Sequence, residues 1–179
     1  MSNTSCSTSS KARKVIVFGA SGHTGRFVVS ELASRGIVAI LVGRDPEKLL
    51  AVQETHPGFE IRVASVDDPG SLDQALREAS LVINCSRPFL DTAEPLIEAA
   101  LRARIHYLDI SAEQAVALAA FEKFSEAARK RGVLMMPSVA FYGALGDLLA
   151  TAAMRDWATA DEIQIAVALD SWNPRRERG

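Results

Sequence analysis

Cysteine is scarce, charge is balanced and long apolar runs are missing from this chain of 179 residues. Its two cysteines, Cys6 in a polar stretch and Cys85 in an apolar one, supply neither a disulfide framework nor a Cys/His metal cluster, so no metal site is expected. Such sparse use of cysteine fits a reducing compartment, and the expected location is cytoplasmic. The 20 Lys and Arg stand against 22 Asp and Glu, a net charge of −2. No basic field is then available to hold a nucleic-acid backbone or an anionic membrane, and neither is an expected partner. Every apolar run meets a charge, Gly or Pro well before the roughly 18 residues that a bilayer span needs. The first residues lack the apolar stretch of a secretory signal, although their Ser-rich, acid-free start leaves a transit peptide open as an alternative.

What is present is 48% hydrophobic residues on a chain long enough for one globular core. Residues 1–13 are rich in Ser and Thr and read as a disordered tail, because they have little to bury against the entropy of ordering. From Lys14 onward, short β-branched runs alternate with segments of helical period. This pattern predicts an α/β fold, a doubly wound and mainly parallel sheet with helices on both faces, in a single domain over 14–169. The strand candidates are 14–18, 37–42, 59–64, 81–85, 105–110, 132–137 and 163–169. Helix starts are marked by Asp45-Pro46, by Asp68-Pro69 and by Ser111 with Gln114, and helix ends by Gly36 and Gly132.

The strongest motif is Val15-Ile-Val-Phe-Gly19-Ala-Ser-Gly22-His-Thr-Gly25, followed by an apolar helical stripe. The first glycine permits the tight turn off a strand, the second lets the backbone approach a pyrophosphate, and the third lets helix and sheet close up. The helix start adds unpaired N–H groups and a positive dipole end, so a dinucleotide is the expected ligand, held by Gly19, Ser21, Gly22, His23, Thr24 and Gly25. For His23 a solvated loop position is the competing reading. At the end of the second strand, Arg44 suits the 2′-phosphate of NADP, whereas Asp45 directly before Pro46 is explained as a helix cap. NADP is therefore expected over NAD. Asp67 is a candidate adenine contact, with turn formation as the alternative. Asn84, Cys85 and Pro88, in the loop after the fourth strand, are expected near the nicotinamide ribose. Cys85 is either a thiol facing the cofactor or, as buried strand cysteines usually are, an inert small hydrophobe.

Neither tyrosine, Tyr107 or Tyr142, has a Lys four residues later, which excludes the Tyr/Lys proton relay of short-chain reductases and sugar-nucleotide epimerases. A nucleophile elbow, a Walker loop and His/Glu metal spacing are also missing. No local constellation names a catalytic acid or base.

The motifs Gly19-Ala-Ser-Gly-His-Thr-Gly25, Gly43-Arg44, Asn84-Cys-Ser-Arg-Pro-Phe89, His106-Tyr-Leu-Asp-Ile-Ser111 with Glu113, and Met136-Pro137 through Gly146-Asp147 resemble the saccharopine dehydrogenase-like oxidoreductases, specifically their N-terminal NAD(P)-binding domain. The resemblance covers nearly the whole chain after the tail. It implies an NAD(P)-dependent oxidoreductase acting by hydride transfer on a small-molecule substrate, in a family that includes saccharopine reductases and enoyl reductases of lipid biosynthesis. Arg87 and Arg104 stand where that family usually has Gly. Its members are longer, with a second α/β domain that supplies the substrate pocket, so residues 170–179 read as a stub and the chain as truncated. Asp109, near the carboxyl edge of the fifth strand with His106 and Tyr107, is the one polar catalytic candidate; capping the next helix beside Ser111 is its alternative. Phe141 and Tyr142 are either crevice-lining or core. Trp157 and Trp172 would lie exposed in the absence of a second domain, which favours a homodimer or aggregation. A non-catalytic NADP-sensing or protein-interaction module, of the NmrA-like kind, is the alternative function.

Overall fold

The structure, a computed structural model, describes residues 14–166, without the side chains of Phe141 and Tyr142. The expected tail, the expected stub and Trp172 lie outside the described residues. Six strands, β1 (Lys14–Phe18), β2 (Ala39–Gly43), β3 (Glu60–Val63), β4 (Ala79–Asn84), β5 (His106–Asp109) and β6 (Met135–Met136), form one sheet in the order β3-β2-β1-β4-β5-β6. Every pairing is parallel. Helices α1 (His23–Ser34), α2 (Pro46–Glu54), α3 (Pro69–Ala75), α4 (Phe89–Ala103) and α5 (Gln114–Arg131) join successive strands, and α6 (Phe141–Met154) follows β6. The doubly wound expectation holds, and the strand order reverses between β1 and β4.

Alternation along β1 assigns its side chains to two cores. Ile16 and Phe18 join Val82 and Tyr107 in one cluster that α3, α4 and α5 complete, whereas Val17 joins Leu41, Val29 and Leu49 in the other, under α1 and α2. Burying both faces explains why β2 reads as an unbroken apolar run. Each fully buried aliphatic side chain here contributes about 1.5–3 kcal/mol.

Asp45 and Asp68 cap α2 and α3 as expected, accepting from Lys48 N at 3.1 Å and from Gly70 N at 3.0 Å. The expected box at Ser111 does not form: α5 starts at Gln114 with Glu113 as its N-cap, because Ser111 N is already bonded to Asp109 Oδ1 at 2.9 Å. Strand starts are displaced for a related reason. Ile37 N bonds back to Leu32 O, and Val133 N to Ala128 O, so 37–38 and 132–134 complete helix-end turns and β2 and β6 begin later than expected. The same turn closes α4 through Ile105 N and Ala100 O, with Arg104 in the left-handed conformation at φ 55°.

The described residues divide into two compact units between Val139 and Ala140. Within the second unit, Ile165 packs over Gly146, where an added Cβ would meet Ile165 Cδ1 at 3.4 Å. Of the expected seventh strand, 163–166 carry no strand pairing and the remainder lies outside the described residues.

Candidate functional site

Parallel register brings the carboxyl ends of the central strands level: Phe18 pairs with Val42 and with Asn84, and Asn84 with Asp109. Their loops therefore leave one edge of the sheet, around the point between β1 and β4 where the strand order reverses. In a doubly wound sheet that crevice is where ligands bind.

Where the glycine loop leaves β1, hydrogen bonds hold the chain to both neighbouring strands. Gly19 N and Ala20 N donate to Val42 O at 2.8 and 3.2 Å, and Cys85 N donates to Phe18 O at 2.8 Å. Gly19 has φ 80°, and a Cβ there would lie 2.9 Å from Ser86 N, so the β1 and β4 loops touch through bare backbone. Gly25, in the first turn of α1, lies against the loop itself, where a Cβ would strike Gly19 O and approach Ala20 Cα to 2.9 Å. The Gly22 N-cap offers no side-chain bond and the first turn of α1 has no acidic residue, so the N–H groups of His23, Thr24 and Gly25 and the positive dipole end stay available. This cradle of bare backbone and unpaired N–H groups fits a pyrophosphate.

Around it, Ser21 is half-buried and Thr24 exposed. His23 is exposed and stacks edge-on against Phe27, with 5.1 Å between ring centroids. Arg26 Nε donates to Ser21 O at 3.1 Å and so places a second cation beside the loop, a contact that sequence reading missed. Arg44 follows directly after β2, is exposed and makes no hydrogen bond or ion pair among the described residues. Asp45 is committed to Lys48, and its hydrogen bonds to Lys48, side chain and backbone, hold its carboxyl below the usual carboxylate range. Exposed Asp67 accepts from Ser65 Oγ at 3.2 Å.

On the other side of the crevice, Asn84 is fully buried. Its Oδ1 accepts from Ser86 N at 3.0 Å, while Nδ2 donates to Thr92 Oγ1 and to the Tyr107 hydroxyl, both at 3.3 Å. Tyr107 in turn donates to Asp109 Oδ2 at 3.0 Å, and Asp109 Oδ1 accepts from the N–H of Ser111 and of Ser138 at 2.9 and 2.8 Å. Asp109 Oδ1 thus ties the loops after β5 and β6 to the sheet, while Oδ2 is occupied by the Tyr107 hydroxyl. Burial, and then the nearby Asp109 charge, raise the Tyr107 phenol well above its usual range. Burial also pushes the Cys85 thiol up to about 12, which removes nucleophilic thiolate at neutral pH. Exposed Pro88 is the N-cap of α4 and follows a cis Arg87–Pro88 peptide. His106 opens β5 rather than closing it, and its Nδ1 accepts from Leu134 N at 3.0 Å, so it lies away from the carboxyl edge. Glu113, after β5, has a carboxylate that makes no cap bond, and its Oε2 is buried without a hydrogen-bond partner.

Comparison with known proteins agrees with this geometry. Residues 15–136 match the family model described as the saccharopine dehydrogenase NADP binding domain. A bovine saccharopine dehydrogenase-like oxidoreductase (Bos taurus) is 32% identical over 152 residues, covering 75% of this chain and 35% of the relative. The human relative of the same name (Homo sapiens) has the same identity and coverage. The chain thus spans about a third of the length of these relatives. Among solved structures, the saccharopine dehydrogenase (L-Glu forming) of Saccharomyces cerevisiae superposes with a TM-score of 0.69 at 19% identity, over 80% of this chain and 31% of that one. Glycine cradle, strand order and sequence match converge: the chain is a nicotinamide-dinucleotide-binding domain and belongs to the saccharopine dehydrogenase NADP-binding domain family.

Proposed function

We propose that this domain binds NADP(H) in preference to NAD(H) and serves an oxidoreductase that transfers hydride to or from a small-molecule substrate. The observation that carries the preference is the division of labour at the end of β2. Asp45, the acidic residue placed to bond a ribose 2′-hydroxyl, spends its carboxylate on the α2 N-terminus, while the Arg44 guanidinium stays unpaired among the described residues. An exposed guanidinium beside the cradle matches a 2′-phosphate in charge and in bidentate geometry. The hydride chemistry rests on the relatives, which are named as oxidoreductases. When bound, the cofactor supplies or accepts the hydride at its nicotinamide ring. The chain's own residues hold the pyrophosphate on α1, fix the β4 loop through Asn84 and Tyr107, and place cations at Arg26 and Arg44.

The test is Arg44→Ala with both cofactors. NADPH affinity is expected to fall at least tenfold, equivalent to about 1.4 kcal/mol, with NADH affinity unchanged. Equal losses for the two cofactors, or none, would contradict the assignment of the 2′-phosphate to Arg44.

A further inference from the structure

Ionised carboxylates accept hydrogen bonds and cannot donate them, and a buried one without a donor forfeits the hydration it gave up on folding. Among the described residues, Glu113 Oε2 is the buried side-chain oxygen in this position. Its isolation is not forced by a lack of local donors. Glu113 is the N-cap of α5, where the N–H groups of Gln114 and Ala115 are unpaired among the described residues and that of Val116 donates to Glu113 O at 3.0 Å, yet its side chain does not turn back onto them. The residue lies in the loop that leaves the carboxyl end of β5, the strand beside β4. The two ends of a dinucleotide lie across the point between β1 and β4, one mononucleotide over each half of the sheet. Arg44 and the cradle occupy the adenosine side, so the β4–β5 side is left for the nicotinamide half.

We propose that Glu113 is a binding residue for the nicotinamide half of the cofactor, its carboxylate accepting a hydrogen bond from the carboxamide N–H or from a nicotinamide-ribose hydroxyl. The inference rests on the dinucleotide reading above and assigns within it a contact that neither motif nor family model specifies. An unpaired buried acceptor destabilises the empty domain and is satisfied on binding, so its removal has opposite effects on the two states.

Glu113→Met and Glu113→Gln test this in the 179-residue chain. Thermal unfolding of the empty protein is followed, along with calorimetric titration by NADP+ and by 2′-phospho-ADP-ribose, which keeps the adenosine half and pyrophosphate but lacks nicotinamide and its amide. Expected for Glu113→Met are a higher unfolding midpoint when empty, at least tenfold weaker NADP+ binding, and unchanged binding of the probe without nicotinamide. Glu113→Gln, which retains a carbonyl acceptor, should lose less NADP+ affinity than the Met variant. A lower midpoint in both variants would show that the carboxylate already has a partner, and unchanged NADP+ affinity would show that its donor is not the cofactor; either overturns the proposal. Equal loss for both ligands would overturn it too, by placing the effect on the cradle. If the unsubstituted chain binds neither ligand, the dinucleotide reading falls and this inference with it; if it binds both and the variants match it, only the inference falls.

Discussion

At Gly25 a methyl group has nowhere to go, because its surroundings are the backbone of Gly19 and Ala20 rather than side chains that can turn aside. Gly25→Ala is therefore expected to shift the helix start, cost about 1–3 kcal/mol of stability and weaken dinucleotide binding at least tenfold. Thermal unfolding together with titration checks it. Tyr107→Phe isolates a different quantity. Removing the hydroxyl leaves Asp109 Oδ2 and an Asn84 amide hydrogen without their buried partner, for an expected loss of about 1–3 kcal/mol with the glycine cradle intact. Denaturant unfolding should show that loss, and an equally stable variant would contradict it. The thiol of Cys85 and the phenol of Tyr107 are both held protonated in the folded state above the pH at which an unfolded chain releases them. The folded state then binds more protons than the unfolded one at high pH, so stability is complete below about pH 9 and falls as pH rises from there toward 12. A pH series of unfolding midpoints reads this directly, and Cys85→Ala should flatten the slope. At this scale the features that act through neighbours in sequence were legible: the glycine turn after β1 and Asp45 as a cap. Glu113 and Arg26 were not assigned a role in the site, because an unpaired buried oxygen and a bond to Ser21 O exist only once the loops are packed.

Three helices end in the same hydrogen-bonded turn, and the residue in the left-handed position is Gly36 after α1, Gly132 after α5 and Arg104 after α4. A side chain there costs about 1–2 kcal/mol, partly offset by the greater freedom that glycine has when unfolded. Arg104→Gly is accordingly expected to stabilise the protein by about 0.5–1 kcal/mol with no effect on dinucleotide binding, measured as a rise in the unfolding midpoint. Those turns also explain the errors in strand boundaries. Apolar residues such as Ile37 and Val133 look like strand residues by composition, but they close the turn after a helix and reach the sheet only two residues later. Caps followed the same logic. Asp before Pro was decisive at 45 and 68, whereas Ser111 satisfied the local pattern and was claimed by Asp109, a residue of the preceding strand.

Over the whole molecule, the alternation of apolar strands with helical segments was enough to specify a doubly wound parallel sheet, since two buried faces and short connections leave few other arrangements. The order β3-β2-β1-β4-β5-β6 then places the reversal of strand order beside the glycine loop, and the function follows from that coincidence more than from any single side chain. The chemistry of the substrate was not legible, because the described residues of the crevice spend Asn84, Tyr107 and Asp109 on holding the loops. The cradle and Arg44 together are expected to select a phosphorylated dinucleotide. Calorimetric titration of the 179-residue chain with NADPH and with NADH tests this most directly. Saturable binding of NADPH, at least tenfold tighter than NADH, is the predicted result; binding of neither, or tighter binding of NADH, would contradict it.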